Sequence, residues 1–482
     1  MDITSLTAME IREKIANKEI SAQEVIKAHL DRIKELDGDL NAFITITEEE
    51  AFEAAKRVDE KVKNGEKLGK LAGIPIGVKD NIVTKDIRTT AGSKMLENFI
   101  PPYDATVIKR IKEEDGIILG KTNLDEFAGS YSTESSYFGV TKNPIDRERV
   151  PGGSSGGSTA AVRAQEVALA LGSDTGGSNR QPASYCGIVG IKPSYGLVSR
   201  HGLIPLSNSL DVVGSFARNV TDASLLLDVI AGRDEKDPTA MDIERGSYLE
   251  GLTGDIKGMK VALPKEYMNM PMDARVKEKV LQAAKVFEKL GAHVEEVSLP
   301  HAKYAWATYY LIVVSEISSA MAKYDGVSYG HRTEDYESLD ELFIKSRTEG
   351  LGEEIKRSIM AGTYILSTEE GRKYYEKAFR VRALLKEDFD RVFEKYDVIL
   401  TPTTPNLPFK IGESVKNPTE MYGSGIFCIP ANVVGLCALS VPCGYVHGLP
   451  VGLQIMGDRF KEANILKAAY AFEGELSLGG DK

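Results

Sequence analysis

The segment VALALGSDTGGSNRQPAS (Val167–Ser184) joins a short apolar run to a loop of small polar residues. The run Val167 to Leu171 has the length and composition of a buried strand. The loop holds Gly172, Gly176 and Gly177, the serines Ser173, Ser178 and Ser184, and Thr175. A strand that ends in such a loop presents a hydroxyl from a rigid support, which is how many nucleophiles are displayed. It contains no histidine, and the whole chain has only 6. Any nucleophile here needs a base of another kind.

Similar strand-like runs recur along the chain: FITIT, IPIGVK, IILG, MKVALP, VEEVSL, DVILTP, ALSVPCGY and VGLQIMG. Helical patterns separate many of them, which predicts an α/β protein with a large mixed β-sheet core covered by helices on both faces. Two amphipathic helices are expected over about residues 1–40. The second opens at the capping box Ser21-Ala-Gln-Glu24 and carries Val25, Ile26, Leu30 and Ile33 on one face. No linker or repeat divides the chain. The expectation is a single domain over 1–482, with a mostly helical region of about 304–393 inserted before the last strands.

Upstream lies a second glycine-serine loop, PGGSSGGSTAAV (Pro151–Val162). It leads directly into a helix-forming stretch, so its backbone amides are placed to converge on an anion or a reacting oxygen. A nucleotide-binding P-loop is excluded because Ser158 stands where lysine is required. Asp174-Thr175-Gly176 matches half of an aspartic-protease dyad, but no second copy exists to share the proton. The third element is LAGIPIGVKDNI (Leu71–Ile82), in which Lys79 closes an apolar strand. A lysine buried among hydroxyls loses its proton easily and becomes a neutral base. Lys79, a serine of the first loop and Ser178 of the second together propose one site.

Bulk properties narrow the function. The chain has 482 residues, is 42% hydrophobic and 27% charged, and carries a formal charge of -11. That balance argues against gripping nucleic acid by bulk electrostatics. The four cysteines form no C-x-x-C pair and read as buried thiols. No apolar run approaches the roughly 20 residues of a membrane span, and MDITSLTAMEIREKI lacks a signal-peptide core. A cytoplasmic protein without a membrane role is expected.

With these residues in view, GIPIGVKDNI, PGGSSGGSTAAV, GSDTGGSNRQPASYCGIVGIKPSYGLVS and GLIPLSNSLDVVG closely resemble the amidase signature family. The resemblance runs nearly end to end. It implies a triad in which Ser178 is the nucleophile, Ser154 is the serine preceded by a cis peptide, and Lys79 is the base. Ser155 would support the loop. The backbone amides of Thr175, Gly176, Gly177 and Ser178 would form the oxyanion hole, and no metal would take part. KTNLDEF, GVTKNP and SEISSAMAKYDGVSYG resemble the branch whose members release ammonia from glutamine for tRNA-dependent amidotransferases. That branch implies a B subunit that binds aminoacyl-tRNA and uses ATP and magnesium, and a small bridging C subunit. This chain itself would hold no cofactor. The reaction expected is amidation of Glu-tRNA(Gln), extending to Asp-tRNA(Asn).

The substrate pocket departs from that pattern. By resemblance, Gly129, Ser130, Tyr309, Arg357, Ser358 and Gly425 would line it. A paired arginine is usual where this chain reads Lys356-Arg357-Ser358-Ile359, and an aspartate is usual where MYGSGIF places Gly425. GSYSTE (Gly129–Glu134) replaces a related segment, and Asn179 replaces an aliphatic residue. Removing charged partners weakens selection of a zwitterionic amino acid. Either Arg357 and another acid compensate, or the chain is a stand-alone amidase acting on a different small carboxamide.

Overall fold

The computed structural model describes residues 2–413 and 418–478. Its strands are β1 (Phe43–Ile46), β2 (Pro75–Lys79), β3 (Ile117–Thr122), β4 (Leu169–Asp174), β5 (Val189–Lys192) and β6 (Val212–Ala217). They continue as β7 (Lys260–Pro264), β8 (His293–Val297), β9 (Val398–Pro402), β10 (Cys437–Val446) and β11 (Leu449–Gly457). All eleven form one sheet in the order β1-β3-β2-β4-β6-β5-β10-β11-β9-β7-β8. β2 runs parallel to β3 and β4, and β7 parallel to β8 and β9, while the central pairings from β4 through β9 are antiparallel. The sheet is therefore mixed, as expected.

The N-terminal helices form as read. Ser21 caps the helix Ala22–Leu40: Glu24 N donates to Ser21 Oγ at 3.1 Å, and Ser21 N donates to Glu24 Oε2 at 2.7 Å. Val25, Ile26, Leu30 and Ile33 are buried on its inner face. Residues 304–393 carry the helices Ala305–Met321, Leu339–Gly350, Glu353–Ser367 and Glu369–Phe393, between β8 and β9. All four cysteines are buried free thiols. Among the described residues, no helix is long and apolar enough to cross a membrane.

Two central strands, β5 and β6, were not expected from the pattern. Both are short and carry glycine, which weakens the strand signal. Gly214 of β6 is there because a Cβ would lie 2.0 Å from the carbonyl oxygen of Ile191 and 2.4 Å from Asn179 Nδ2. The sheet passes directly beneath the Thr175–Asn179 loop. That closeness fixes where the loop's hydroxyls sit.

Candidate active site

Lys79 ends β2, wholly buried between β3 and β4. Its Nζ lies 2.7 Å from Ser154 Oγ, 2.8 Å from Ser155 Oγ and 2.9 Å from Ser173 Oγ. Burial pushes its pKa down from 10.5 to about 7, and the charges of Asp125, Asp174 and Asp211 only partly oppose that. Near neutral pH a large part of the amine is therefore unprotonated and able to accept a proton.

The peptide bond between Gly153 and Ser154 is cis. Gly153 N donates to Gln181 Oε1 at 2.9 Å, and Thr133 Oγ1 donates to Gly152 O at 2.8 Å, so the chain leading into that bond is tethered twice. Ser155 N donates to Ser178 O at 3.3 Å, which joins the two glycine-serine loops directly. Ser158, the residue that excluded a P-loop, donates to Leu171 O at 2.9 Å and ties the helix Gly156–Arg163 to β4.

The second loop is held from below by a buried ion pair that the sequence reading missed. Asp174 Oδ1 accepts from Arg180 at 3.0 Å and from Gly177 N at 2.8 Å, while Oδ2 accepts from Asn179 N at 3.0 Å. Arg180 also donates to Cys428 O at 2.8 Å, Gln454 Oε1 at 2.6 Å and Asn432 Oδ1 at 2.5 Å. Burial alone would raise the Asp174 pKa, but the Arg180 guanidinium keeps it well below the usual carboxylate range. Four acceptor groups around one arginine meet the condition under which a buried charge is tolerated. The signal was present in the sequence: an aspartate and an arginine flank the glycines of an otherwise uncharged loop.

The four amides expected to form an oxyanion hole do not share one environment. The Gly177 N–H is engaged by Asp174, whereas the N–H groups of Thr175, Gly176 and Ser178 make no such bond among the described residues. Thr175 is fixed through its hydroxyl, 2.6 Å from Asp211 Oδ1. Tyr131 OH donates to Gly176 O at 3.2 Å, so with the Gly177 N–H held by Asp174 both edges of that peptide are engaged within the protein. Gly177 has φ +123°, a conformation that favours glycine, and a Cβ there would lie 2.6 Å from Cys428 Cβ.

Ser178 opens into a narrow cavity of about 30 Å³. Of the residues expected by resemblance, Gly129, Ser130, Tyr309 and Ser358 line it, together with Tyr131, Trp306, Tyr310 and Tyr422, which were not anticipated. Arg357 is not in the lining: its side chain is 54% exposed and ion-paired with Glu354. Gly425 lies behind Tyr131, and a Cβ on it would approach Tyr131 Cε1 to 2.5 Å. Asn179, which looked misplaced beside the nucleophile, points into the protein instead. Its Nδ2 donates to Ile191 O at 3.0 Å, and its Oδ1 accepts from Ser155 at 3.3 Å.

A buried lysine touching a cis-bonded serine, with a second serine on a glycine turn above a large mixed sheet, defines an amidase-type hydrolase. The Amidase family model matches residues 24–466, and the chain belongs to that family. The chain is 54% identical over 473 residues to the A subunit of glutamyl-tRNA(Gln) amidotransferase from Caldanaerobacter subterraneus subsp. tengcongensis, covering 98% of this chain and 97% of that protein. It is 55% identical to the A subunit from Carboxydothermus hydrogenoformans, covering 98% of each. The crystal structure of the A subunit of glutamyl-tRNA(Gln) amidotransferase from Thermotoga maritima superposes with a TM-score of 0.83 at 42% identity, covering 98% of this chain and 95% of that one.

Proposed function

We propose that this chain is the glutamine-hydrolysing A subunit of a glutamyl-tRNA(Gln) amidotransferase, with Ser178, Ser154 and Lys79 as its catalytic triad. The observation that carries the chemistry is the 2.7 Å contact between Lys79 Nζ and Ser154 Oγ in a wholly buried setting. Similarity above half identity over nearly the whole chain supports the choice of reaction.

In this reading neutral Lys79 takes the Ser154 hydroxyl proton while Ser154 takes that of Ser178. Ser178 Oγ attacks the side-chain amide carbon of glutamine, and the N–H groups of Thr175, Gly176 and Ser178, which Asp174 does not occupy, stabilise the oxyanion. The carbon–nitrogen bond breaks as the proton returns through Ser154 to the leaving nitrogen, giving ammonia and an acyl ester on Ser178. Water then attacks the ester by the same relay, releasing glutamate and restoring the serine. No metal or cofactor enters these steps.

Ammonia released here would serve a partner B subunit that activates the tRNA-borne carboxylate with ATP and magnesium, with a small C subunit bridging the two, in the cytoplasm. The acidic chain leaves tRNA contact mainly to the B subunit; Asp-tRNA(Asn) is the second substrate the same assembly would serve. The test is ammonia release from glutamine, asparagine and simple amides, with and without co-expressed B and C subunits. Glutamine turnover that strengthens in the complex supports the reading. Turnover of simple amides without any glutaminase activity in the complex would make the chain a stand-alone amidase instead.

A further inference from the structure

The cavity at Ser178 is walled by tyrosines, a tryptophan, aliphatic side chains and serines, with no charged side chain in its lining among the described residues. Glutamine brings an ammonium and a carboxylate on its α-carbon, and neither is stable beside such walls without a counter-charge. One ion pair stands next to this cavity. The helix Glu353–Ser367 presents Ser358 to it, and Glu354 lies one turn earlier on the same face. Glu354 is mostly buried, with its side chain 13% exposed, and its Oε2 accepts from Arg357. Its Oε1 is buried and has no hydrogen-bond partner. Burial raises the pKa of Tyr310, part of the cavity wall; both charges also reach it, the Glu354 carboxylate pushing the pKa further up and the Arg357 guanidinium pulling it down.

We infer that Glu354 and Arg357 hold the α-ammonium and the α-carboxylate of glutamine at the mouth of the Ser178 cavity. The inference rests on glutamine being the amide donor. The ammonium satisfies Glu354 Oε1, which otherwise loses its hydration without gaining a donor. Arg357 spends one nitrogen on Glu354, and its exposed guanidinium keeps further N–H groups for a carboxylate, which it can grip in bidentate fashion. The ligand thereby extends the existing pair into a four-charge array without separating it. These two side chains touch substrate but not the reacting carbon, so they set specificity and leave the chemistry to the serines.

The test uses the full chain, assembled with whatever partners its glutaminase activity requires, and three amides. These are glutamine, glutaramate (which lacks the α-amino group) and butyramide (which lacks both charges). Glu354→Gln is expected to raise KM for glutamine about tenfold or more, the usual scale for one charged contact, with kcat kept. Glutaramate and butyramide should be unaffected by it. Arg357→Gln should raise KM for glutamine and for glutaramate, again sparing butyramide; being exposed, it also guards against a folding defect at Glu354. Unchanged glutamine KM in both variants, or equal losses on all three amides, overturns the inference. A wild-type chain that cleaves butyramide but not glutamine in any assembly overturns the donor assignment itself, and this inference falls with it.

Discussion

Asp174 and Arg180 form an ion pair with neither side chain exposed, 3.0 Å apart, directly beneath the loop that carries Ser178. Asp174 also receives the N–H of Gly177 and of Asn179, so one carboxylate holds the loop on both sides of the nucleophile. Removing one partner of such a pair leaves an unpaired buried charge, at a cost of about 3–5 kcal/mol. Arg180→Met is expected to lower the unfolding free energy by that order, read as a lower denaturant midpoint, and to abolish ammonia release. A variant with wild-type stability and activity would show that the pair does not organise the loop.

Replacing the nucleophile separates chemistry from folding. Ser178→Ala should reduce amide hydrolysis about a thousandfold or more while leaving the melting temperature near that of the wild type. Ser154→Ala should come close to the same loss, because the two hydroxyls act as one relay. Activity retained in either variant, measured as ammonia release, would remove that serine from the triad.

The pH profile reports on Lys79. With its pKa near 7, kcat/KM for glutamine should rise with pH through about 7, since the neutral amine is the base. The same group carries a stability signature. Between about 7 and its ordinary 10.5 the unfolded chain holds the proton and the folded chain does not, so its contribution makes folding more favourable as pH rises across that window. Lys79→Met should therefore be inactive and lose that part of the pH slope. A flat activity profile between pH 6 and about 8.5 would contradict the assignment.

Placing an aspartate at position 425 tests whether geometry permits the residue that the family resemblance led us to expect there. A Cβ on Gly425 would come within 2.5 Å of Tyr131, whose hydroxyl donates to Gly176 O. Gly425→Asp is therefore expected to shift Tyr131, loosen the Thr175–Ser178 loop and lower activity. An increase in glutamine turnover would show that Tyr131 moves aside freely.

Local chemistry made much of this protein legible without coordinates. Ser21 and Glu24 announce a helix start because each satisfies the other's backbone amide within one turn. Lys79, Ser178 and a serine of the first loop stood out because glycine-serine loops and a lysine ending an apolar strand are unusual in those positions, and the family resemblance singled out Ser154 within that loop. Strands β5 and β6 escaped notice because their glycines answer to a neighbouring chain segment rather than to strand propensity.

What the sequence determined by itself is the alternating α/β order, which follows from periodicity, and the loops and lysine that can supply a hydroxyl relay, with the particular serine of the first loop implied by family resemblance. Tertiary structure alone decided that Lys79 is dry enough to lose its proton, that Arg180 and Asp174 meet, and that Asn179 turns inward while Tyr131 and Tyr310 wall the cavity. Those outcomes depend on desolvation and on contacts between segments far apart in the chain, such as Arg180 with Gln454. Burial and long-range pairing are properties of the packed sheet, and no local stretch of residues carries them.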